Sequence, residues 1–298
     1  MINFLNNFLT LMVLPTTSAV LSGFNQNNLP YQSDPGVGQY GYNQCGKTAT
    51  PFSKCQNVFI KSATDFCFFA PPTVQPVGNA ERISVSYCTK DGHGTRLVPK
   101  DTFHNLHYVR TPHYIQITAI GDFTKVNVPK GDEGGELDPA GADGHGNPLG
   151  GLVFGENNQF DHWTEFISDE EFCIRVCFNG PKASEYCEHI YDVMGCQWNI
   201  PGNYEGNGFD QCDGEDVSLP MGKYKLPNGK IGTWHQGDKT PAPPANPAGK
   251  VKNCFGVSPP GQYKYQKPSQ MEKFNKEIKS NHQLTGKEKI NEMMKNLQ

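Results

Sequence analysis

Charge is missing from the first 23 residues, and the rest of the sequence lacks any apolar run long enough to cross a bilayer. The apolar segment at residues 4–14 is too short for a transmembrane helix, and the small residues Thr17 and Ala19 resemble a signal-peptidase site. Residues 1–19 are therefore predicted to be a secretory signal peptide, and the protein to be extracellular with no transmembrane segment. An N-terminal core strand is the alternative, because the first residues lack the usual lysine or arginine.

Motifs of several enzyme classes are also missing. There is no G-x-S-x-G nucleophile elbow, and the glycines at 144–148 fail as a dinucleotide fingerprint because Leu149 takes the place of the third glycine. No Asn-x-Ser/Thr sequon occurs, so heavy N-glycosylation is not expected. Hydrophobic residues make up only 36% of the chain, which contains 32 Gly and 23 Pro. This composition indicates short strands joined by long loops.

The net charge of −4 is unevenly distributed. Residues 264–298 contain eight Lys and four Glu, a balance of +4, so the remaining residues carry −8. An acidic main domain argues against nucleic acid as its partner. The tail contains two capping-box sequences, at 269–272 and 285–288, and residues 263–298 are predicted to be a helical or disordered tail.

The cysteines indicate a disulfide framework. An even count of ten in a secreted chain predicts up to five disulfides, and the absence of C-x2-C pairs makes zinc a weaker interpretation. The ten residues are Cys45, Cys55, Cys67, Cys88, Cys173, Cys177, Cys187, Cys196, Cys212 and Cys254.

Cys173 and Cys177 lie on one predicted strand. Two residues four apart on a strand point the same way but are separated by roughly 13 Å, at about 3.3 Å per residue, whereas a disulfide needs Cα atoms within about 7 Å. The two therefore pair elsewhere, and Cys187 or Cys196 is expected for Cys177. Cys196 and Cys212 are expected to close an aromatic loop, and Cys254 to pin the Pro-rich connector at 238–249 to the domain.

Alternation of apolar and polar residues predicts several strands. Ile115, Ile117 and Ala119 share one face of one strand. In a second strand, at residues 172–178, the apolar residues at even positions share one face and the cysteines and arginine at odd positions share the other. Asn228-Gly229 between two short apolar runs predicts a hairpin. We therefore expect residues 20–262 to form a single, mainly β domain, a disulfide-stapled sandwich or barrel with long Gly/Pro-rich loops.

A glycine-rich acidic stretch at 131–166 contains the first candidate site. Five carboxylates fall within twelve residues, and hard cations such as Ca²⁺ prefer oxygen ligands. The stretch fails the EF-hand pattern, because Pro148 and Phe154 take the glycine and glutamate positions. An irregular Ca²⁺ site is the hypothesis, and a solvated acidic loop is the alternative; no cofactor is required. The candidate ligands are Asp132, Glu133, Glu136, Asp138 and Asp143.

A carboxylate pair for glycoside hydrolysis is a second hypothesis for the same region. Such enzymes need two carboxyl groups on opposite sides of the scissile bond. The candidates are Glu133, Glu136, Asp161 and Glu165.

Aromatic residues in Gly-rich loops support a third hypothesis, a binding role without catalysis. On a stapled β scaffold such side chains suit recognition of a cell-wall or host glycan or of a protein, although core packing is the plain alternative for each of them. The candidates are Trp163, Trp198, Tyr204 and Trp234.

Three histidines, His104, His107 and His113, cluster between two predicted strands. Their spacings of three and six residues match no recurrent metal site, and Pro112 interrupts them. We interpret them as polar loop and edge-strand residues rather than as metal ligands.

Long strings of the sequence are similar to a known family. YCTKDGHGTRLVP, TPHYIQITAIGDFTKVNVP, GDEGGELDPAGADGHGNPLGGLVFG, HWTEFISDEEFCIRVC and CEHIYDVMGCQWNIPGNYE resemble the fungal secreted proteins known as macrophage-activating glycoproteins. The resemblance covers roughly residues 35–260. It implies a secreted or cell-surface fungal protein that meets a host, and it supplies no catalytic residues. Members often end in a Ser/Thr-rich lipid-anchored tail, from which the Lys-rich tail of this chain departs.

Overall fold

The computed structural model describes residues 28–155 and 157–261. The predicted signal peptide (1–19) and the Lys-rich tail (263–298) lie outside the described residues. The fold is 33% strand and 10% helix, which confirms the mainly β class. The strands are β1 (Asn57–Ser62), β2 (Asp65–Ala70), β3 (Val85–Cys88), β4 (Arg96–Leu97), β5 (Phe103–Arg110), β6 (Tyr114–Gly121), β7 (Gly135–Leu137), β8 (Leu152–Phe154), β9 (Gln159–Phe160), β10 (His162–Ile167), β11 (Glu171–Cys177), β12 (Phe209–Gly214), β13 (Lys223–Lys225), β14 (Ile231–Thr233) and β15 (Val251–Gly256).

Helices are few and short. Among residues 28–155 and 157–261, the three α-helical segments are α1 (Val77–Ala80), α2 (Ala183–Tyr186) and α3 (Gly195–Asn199). Single 3₁₀ turns lie at Pro35–Val37, Glu81–Ile83 and Phe123–Val126. No helix in the described part of the chain is long and apolar enough to span a bilayer.

Two open sheets make up the sandwich. A six-stranded sheet has the order β4-β3-β2-β1-β8-β9, and a seven-stranded sheet has the order β15-β12-β5-β6-β11-β10-β7. Neither closes into a barrel within the described residues, so the sandwich is the observed form of the predicted architecture. Strands β13 and β14 form a separate hairpin around the left-handed Gly229, as the Asn-Gly signal predicts.

Phenylalanine rings fill the space between the two sheets. Phe68 of β2 lies 4.8 Å from Phe172 of β11 and 6.3 Å, edge-on, from Phe123, measured between ring centroids. Offset and edge-to-face pairs of this kind add stability beyond the area they bury. The core also takes Ile115, Ile117 and Ala119 from β6, which confirms the face predicted from alternation.

The opposite, outer face of the seven-stranded sheet is covered by the loops between β11 and β12. Arg175 lies there with no solvent exposure; it donates to Gln116 Oε1 at 2.9 Å and to the Tyr186 carbonyl at 3.1 Å, and its guanidinium lies 4.4 Å from the Tyr114 ring centroid. Burial lowers the pKa of Arg175. These contacts fix the loops over the outer face.

All ten cysteines form disulfides. The pairs are Cys45–Cys55, Cys67–Cys88, Cys173–Cys196, Cys177–Cys187 and Cys212–Cys254. The separate pairing of Cys173 and Cys177 is confirmed, as is the attachment of Cys254 to the domain. The expected closure of a loop by Cys196 with Cys212 is wrong. The two cysteines lie on different elements: Cys196 on α3 pairs with Cys173 of β11, and Cys212 on β12 pairs with Cys254 of β15.

Candidate functional site

The acidic stretch folds into turns and short strands, where several of its carboxylates satisfy backbone or side-chain donors. Asp132 Oδ2 accepts the Val77 N–H at 2.7 Å, at the start of α1. Asp143 forms a bidentate pair with Arg82 at 2.8 and 2.7 Å. Glu133 is exposed on a turn. Across residues 28–155 and 157–261, no three carboxylate, imidazole or thiol side chains converge as metal ligands.

Glu136 and Asp138 do come together with other carboxyl groups. Glu136 of β7 is 3% exposed; its Oε1 accepts from the Thr164 hydroxyl at 2.6 Å, and its Oε2 meets no donor among the described residues. Burial raises the pKa of Glu136 to about 9, and the carboxyl groups of Asp192 and Asp138 add to the increase. At neutral pH Glu136 is therefore protonated.

The pKa values of two neighbours of Glu136, Glu81 and Asp138, are also raised. Burial, followed by the charges of Asp192 and Asp138, raises the pKa of Glu81 to about 7. Burial also raises the pKa of Asp138, although this carboxyl accepts two backbone N–H groups at 2.7 Å and lies 3.4 Å from His189 Nδ1. This group, the carboxyl cluster, consists of Glu81, Glu136, Asp138 and Asp192. Within it, Glu136 holds a proton at neutral pH.

The four carboxylates considered for glycoside hydrolysis do not surround one space. In the β7–β10 register Leu137 faces Glu165 and Glu136 faces Phe166, so the two glutamates lie on opposite faces of the sheet. Glu165 has no solvent exposure, and both of its carboxyl oxygens accept the Phe69 N–H, at 3.0 and 3.1 Å.

A cleft of about 430 Å³ lies on the outer face of the seven-stranded sheet. Its floor is formed by outward-facing residues of β5, β6 and β12, among them His107, Gln116 and Asp210. One wall is the loop at 202–205, and the opposite wall is the end of the Pro-rich connector at Ala248 and Gly249. None of the predicted carboxylates lines it.

His107 is the most unusual side chain in this cleft. The parallel β5–β12 register places Asp210 directly beside it, and the Asp210 carboxylate accepts from Nδ1 at 2.9 Å. A carboxylate only accepts, so Nδ1 carries the hydrogen and Nε2 of the neutral ring is an acceptor. His107 is only 7% exposed, and its Nε2 has no hydrogen-bond partner among the described residues. A buried acceptor of this kind lacks the donor that a ligand would supply.

Comparison with known proteins supplies the family. The appressorium protein ROW2 of Mycosarcoma maydis is 47% identical to this chain over 246 residues, which cover 79% of this chain and 82% of ROW2. The chain belongs to the ROW2 family.

A second relative extends the comparison. The appressorium protein ROW1 of the same organism is 48% identical over 232 residues, or 75% of this chain, but only 53% of ROW1 is covered, so the chain spans about half of that protein. No family model matches the sequence, and no solved structure matches it either.

The aromatic residues predicted to bind a ligand are distributed over three parts of this ROW2-family protein. Trp163 is 1% exposed and packs in the core against Phe69, so its ring is closed to a ligand. Trp198 and Trp234 contact each other edge-on at 5.7 Å, and their indole N–H groups donate to carbonyls of the Pro-rich connector. Tyr204 lines the cleft.

Sequence reasoning missed the cleft itself. His107 was noted, but its partner Asp210 is 103 residues away, and only the parallel pairing of β5 with β12 brings the two together in this ROW2-family fold. The alternation of β5 was the one available signal, since it places His107 on the face opposite to the core residues Leu106 and Tyr108.

Proposed function

We propose that this protein acts outside the cell as a non-catalytic binding protein at the fungal surface, in contact with a host, and that its cleft holds a carbohydrate. Two features support the extracellular setting. All ten cysteines are oxidised, which is typical of secreted proteins. The relatives are named for the appressorium, and the resemblance to secreted macrophage-activating glycoproteins is consistent with the same setting.

The observation that carries carbohydrate binding is the polar lining of the cleft around one unpartnered acceptor. A sugar ring presents hydroxyl groups that donate and accept on its rim and an apolar face that packs on aromatic rings. His107 Nε2 offers an acceptor, Gln197 and Asn203 offer amides, and Tyr204 offers a ring. A few placed polar groups in a concave site are the usual means of orienting a small ligand.

A matched pair of variants tests the proposal. Ala248 is exposed and lines the cleft, whereas Ala245 is exposed on the same connector and does not line it. Ala248→Trp fills the cleft and should weaken binding in calorimetric titrations against a glycan panel by about tenfold or more, while Ala245→Trp should bind as the wild type does. Equal binding by the two variants would place the ligand elsewhere and overturn the proposal.

Two controls belong to the same titrations. The proposal requires no cofactor, so EDTA and added Ca²⁺ should leave affinity unchanged; a Ca²⁺-dependent affinity and melting temperature would instead support the site predicted at Asp132, Glu133, Glu136, Asp138 and Asp143. The glycans are also checked for cleavage. Cleavage that Glu133→Gln and Glu136→Gln abolish would replace the binding role with the enzymatic one.

A further inference from the structure

The charge of the cleft is one-sided. Three negatively charged side chains line it, from the loop at 202–205, from β12 and from the turn that follows β12, and within the described part of the chain no lysine or arginine lines it. The three residues are Glu205, Asp210 and Glu215. Lys250 and Lys252 flank the lining residue Val251 but do not line the cleft themselves.

Arg175 is a buried positive charge beside the cleft that does not itself line it. It lies on β11 next to Gln116, on the same outer face of the sheet, and its guanidinium contacts two residues of the floor, Gln116 and Tyr114. Its N–H groups donate to Gln116 Oε1 and to the Tyr186 carbonyl, so these donors are already used within the protein. The cleft therefore presents carboxylates at its rim and amide and aromatic groups at its base.

The two rim carboxylates come from opposite walls. Glu205 is exposed in the loop after Tyr204, where its backbone N–H donates to Asn203 Oδ1 at 3.0 Å. Glu215 is exposed and is fixed to the connector, since its backbone N–H donates to the Lys250 carbonyl at 2.8 Å. A ligand between them would meet negative charge on both sides and the His107 acceptor in the floor. All three groups favour a ligand that donates hydrogen bonds from a positively charged group.

We infer that the cleft prefers carbohydrates with free, protonated amino groups, such as oligomers of glucosamine, over neutral or N-acetylated sugars of equal length. The inference rests on the proposed carbohydrate binding at this cleft. An ammonium group supplies donors to the carboxylates and to His107 Nε2, whereas an acetamide supplies one N–H and no charge. The choice of sugar follows from the sign of the lining charge.

Binding of two oligosaccharides of equal length, one of glucosamine and one of N-acetylglucosamine, tests the inference. Wild-type protein should bind the glucosamine oligomer more tightly at low salt, and the preference should shrink as salt is added. The double variant Glu205→Gln and Glu215→Gln should bind the glucosamine oligomer about tenfold more weakly and the N-acetylated oligomer unchanged. Glu170→Gln removes one exposed charge away from the cleft and should leave both affinities as in the wild type.

The possible outcomes separate the two proposals. Equal affinity for both oligomers, unaffected by the double variant but reduced by Ala248→Trp, would overturn the preference for amines and leave carbohydrate binding in place. If Glu170→Gln weakened binding of the glucosamine oligomer as much as the double variant does, the oligomer would be attracted to the net charge rather than to the cleft, and the preference would be overturned. Absence of binding to both oligomers, while another glycan of the panel binds at the cleft, would overturn the preference for amines alone. Binding that Ala248→Trp does not affect, or absence of binding to every glycan of the panel, would overturn both.

Discussion

Glu165 shows how a single side chain can connect the two sheets. It lies on β10 of the seven-stranded sheet with no solvent exposure, and it accepts the N–H of Phe69 on β2 of the six-stranded sheet. Burial raises the pKa of Glu165 well above its ordinary value. Burial therefore favours the neutral form of this carboxyl group, which serves the sandwich as a polar acceptor.

Two substitutions at Glu165 test this role. Glu165→Gln keeps an acceptor for the Phe69 N–H and should change the free energy of unfolding by less than about 1 kcal/mol at pH 6. Glu165→Ala leaves that N–H buried without an acceptor and opens a cavity, and should cost about 2–4 kcal/mol. Denaturant unfolding measures both. Equal losses of unfolding free energy for the two variants would show that an amide oxygen does not replace the carboxyl group, and would contradict the acceptor role.

At the level of strands, the local sequence pattern predicted which side chains face the core but not which cysteines form disulfides with each other. The alternation of Phe172, Ile174 and Val176 was sufficient to assign the core face of β11, because the two-residue period of a strand is a local property. The same period showed that Cys173 and Cys177 point away from the core and cannot pair with each other. It could not identify Cys196 as the partner of Cys173, since that pairing depends on where α3 packs over the sheet.

The Cys212–Cys254 disulfide holds the edge strand β15 on the sheet and lines the cleft. It spans 42 residues, whereas Cys177–Cys187 spans 10. In the chain-entropy model the longer loop contributes about 4 kcal/mol and the shorter about 3 kcal/mol. Replacing both cysteines of a pair by serine should therefore lower the melting temperature more for Cys212–Cys254.

The two disulfide variants also differ in their expected effect on binding. Loss of Cys212–Cys254 should weaken glycan binding, because β15 and its connector form part of the cleft, whereas loss of Cys177–Cys187 should not. Calorimetry and glycan titration on the two double serine variants provide the comparison. A larger loss of stability and of binding in the Cys177–Cys187 variant would contradict this account of β15.

For the whole molecule, the limit of prediction lies at contacts between distant parts of the chain. Glu136 and Asp138 were identified from sequence as chemically notable, but Glu81 and Asp192, which complete the carboxyl cluster, lie more than 50 residues away on either side. Composition correctly indicated a stapled β domain, because disulfide count and strand period are properties of the chain itself. Burial of a carboxyl group is a property of the assembled sheets, and no local pattern reports it.

The raised pKa values of Glu81, Glu136, Asp138 and Glu165 make the stability of the molecule depend on pH. Burial raises the pKa of Glu136 to about 9 and that of Glu81 to about 7, from an ordinary value of 4.5, and raises those of Asp138 and Glu165 as well. The folded state thus binds more protons than the unfolded state between about pH 5 and pH 9. The free energy of unfolding must fall as pH rises through this window, by at most about 1.4 kcal/mol per pH unit for each group.

Denaturant unfolding at pH 5, 7 and 9 with the disulfides intact should show this fall, and Glu136→Gln should flatten it, because an amide in the same place takes up no proton. Glu133→Gln, which changes an exposed carboxyl, should retain the wild-type slope. Asp65 and Asp143, whose pKa values are lowered by His93 and Arg82, act in the opposite direction only below their ordinary value of 3.8 and do not contribute above pH 5. Burial lowers the pKa of Lys54 and of Arg175, and these two groups act in the opposite direction toward the alkaline end of the window. The comparison of variants removes their effect, so a Glu136→Gln variant whose stability falls with pH as steeply as that of the wild type would contradict the neutral state of the buried Glu136 carboxyl group.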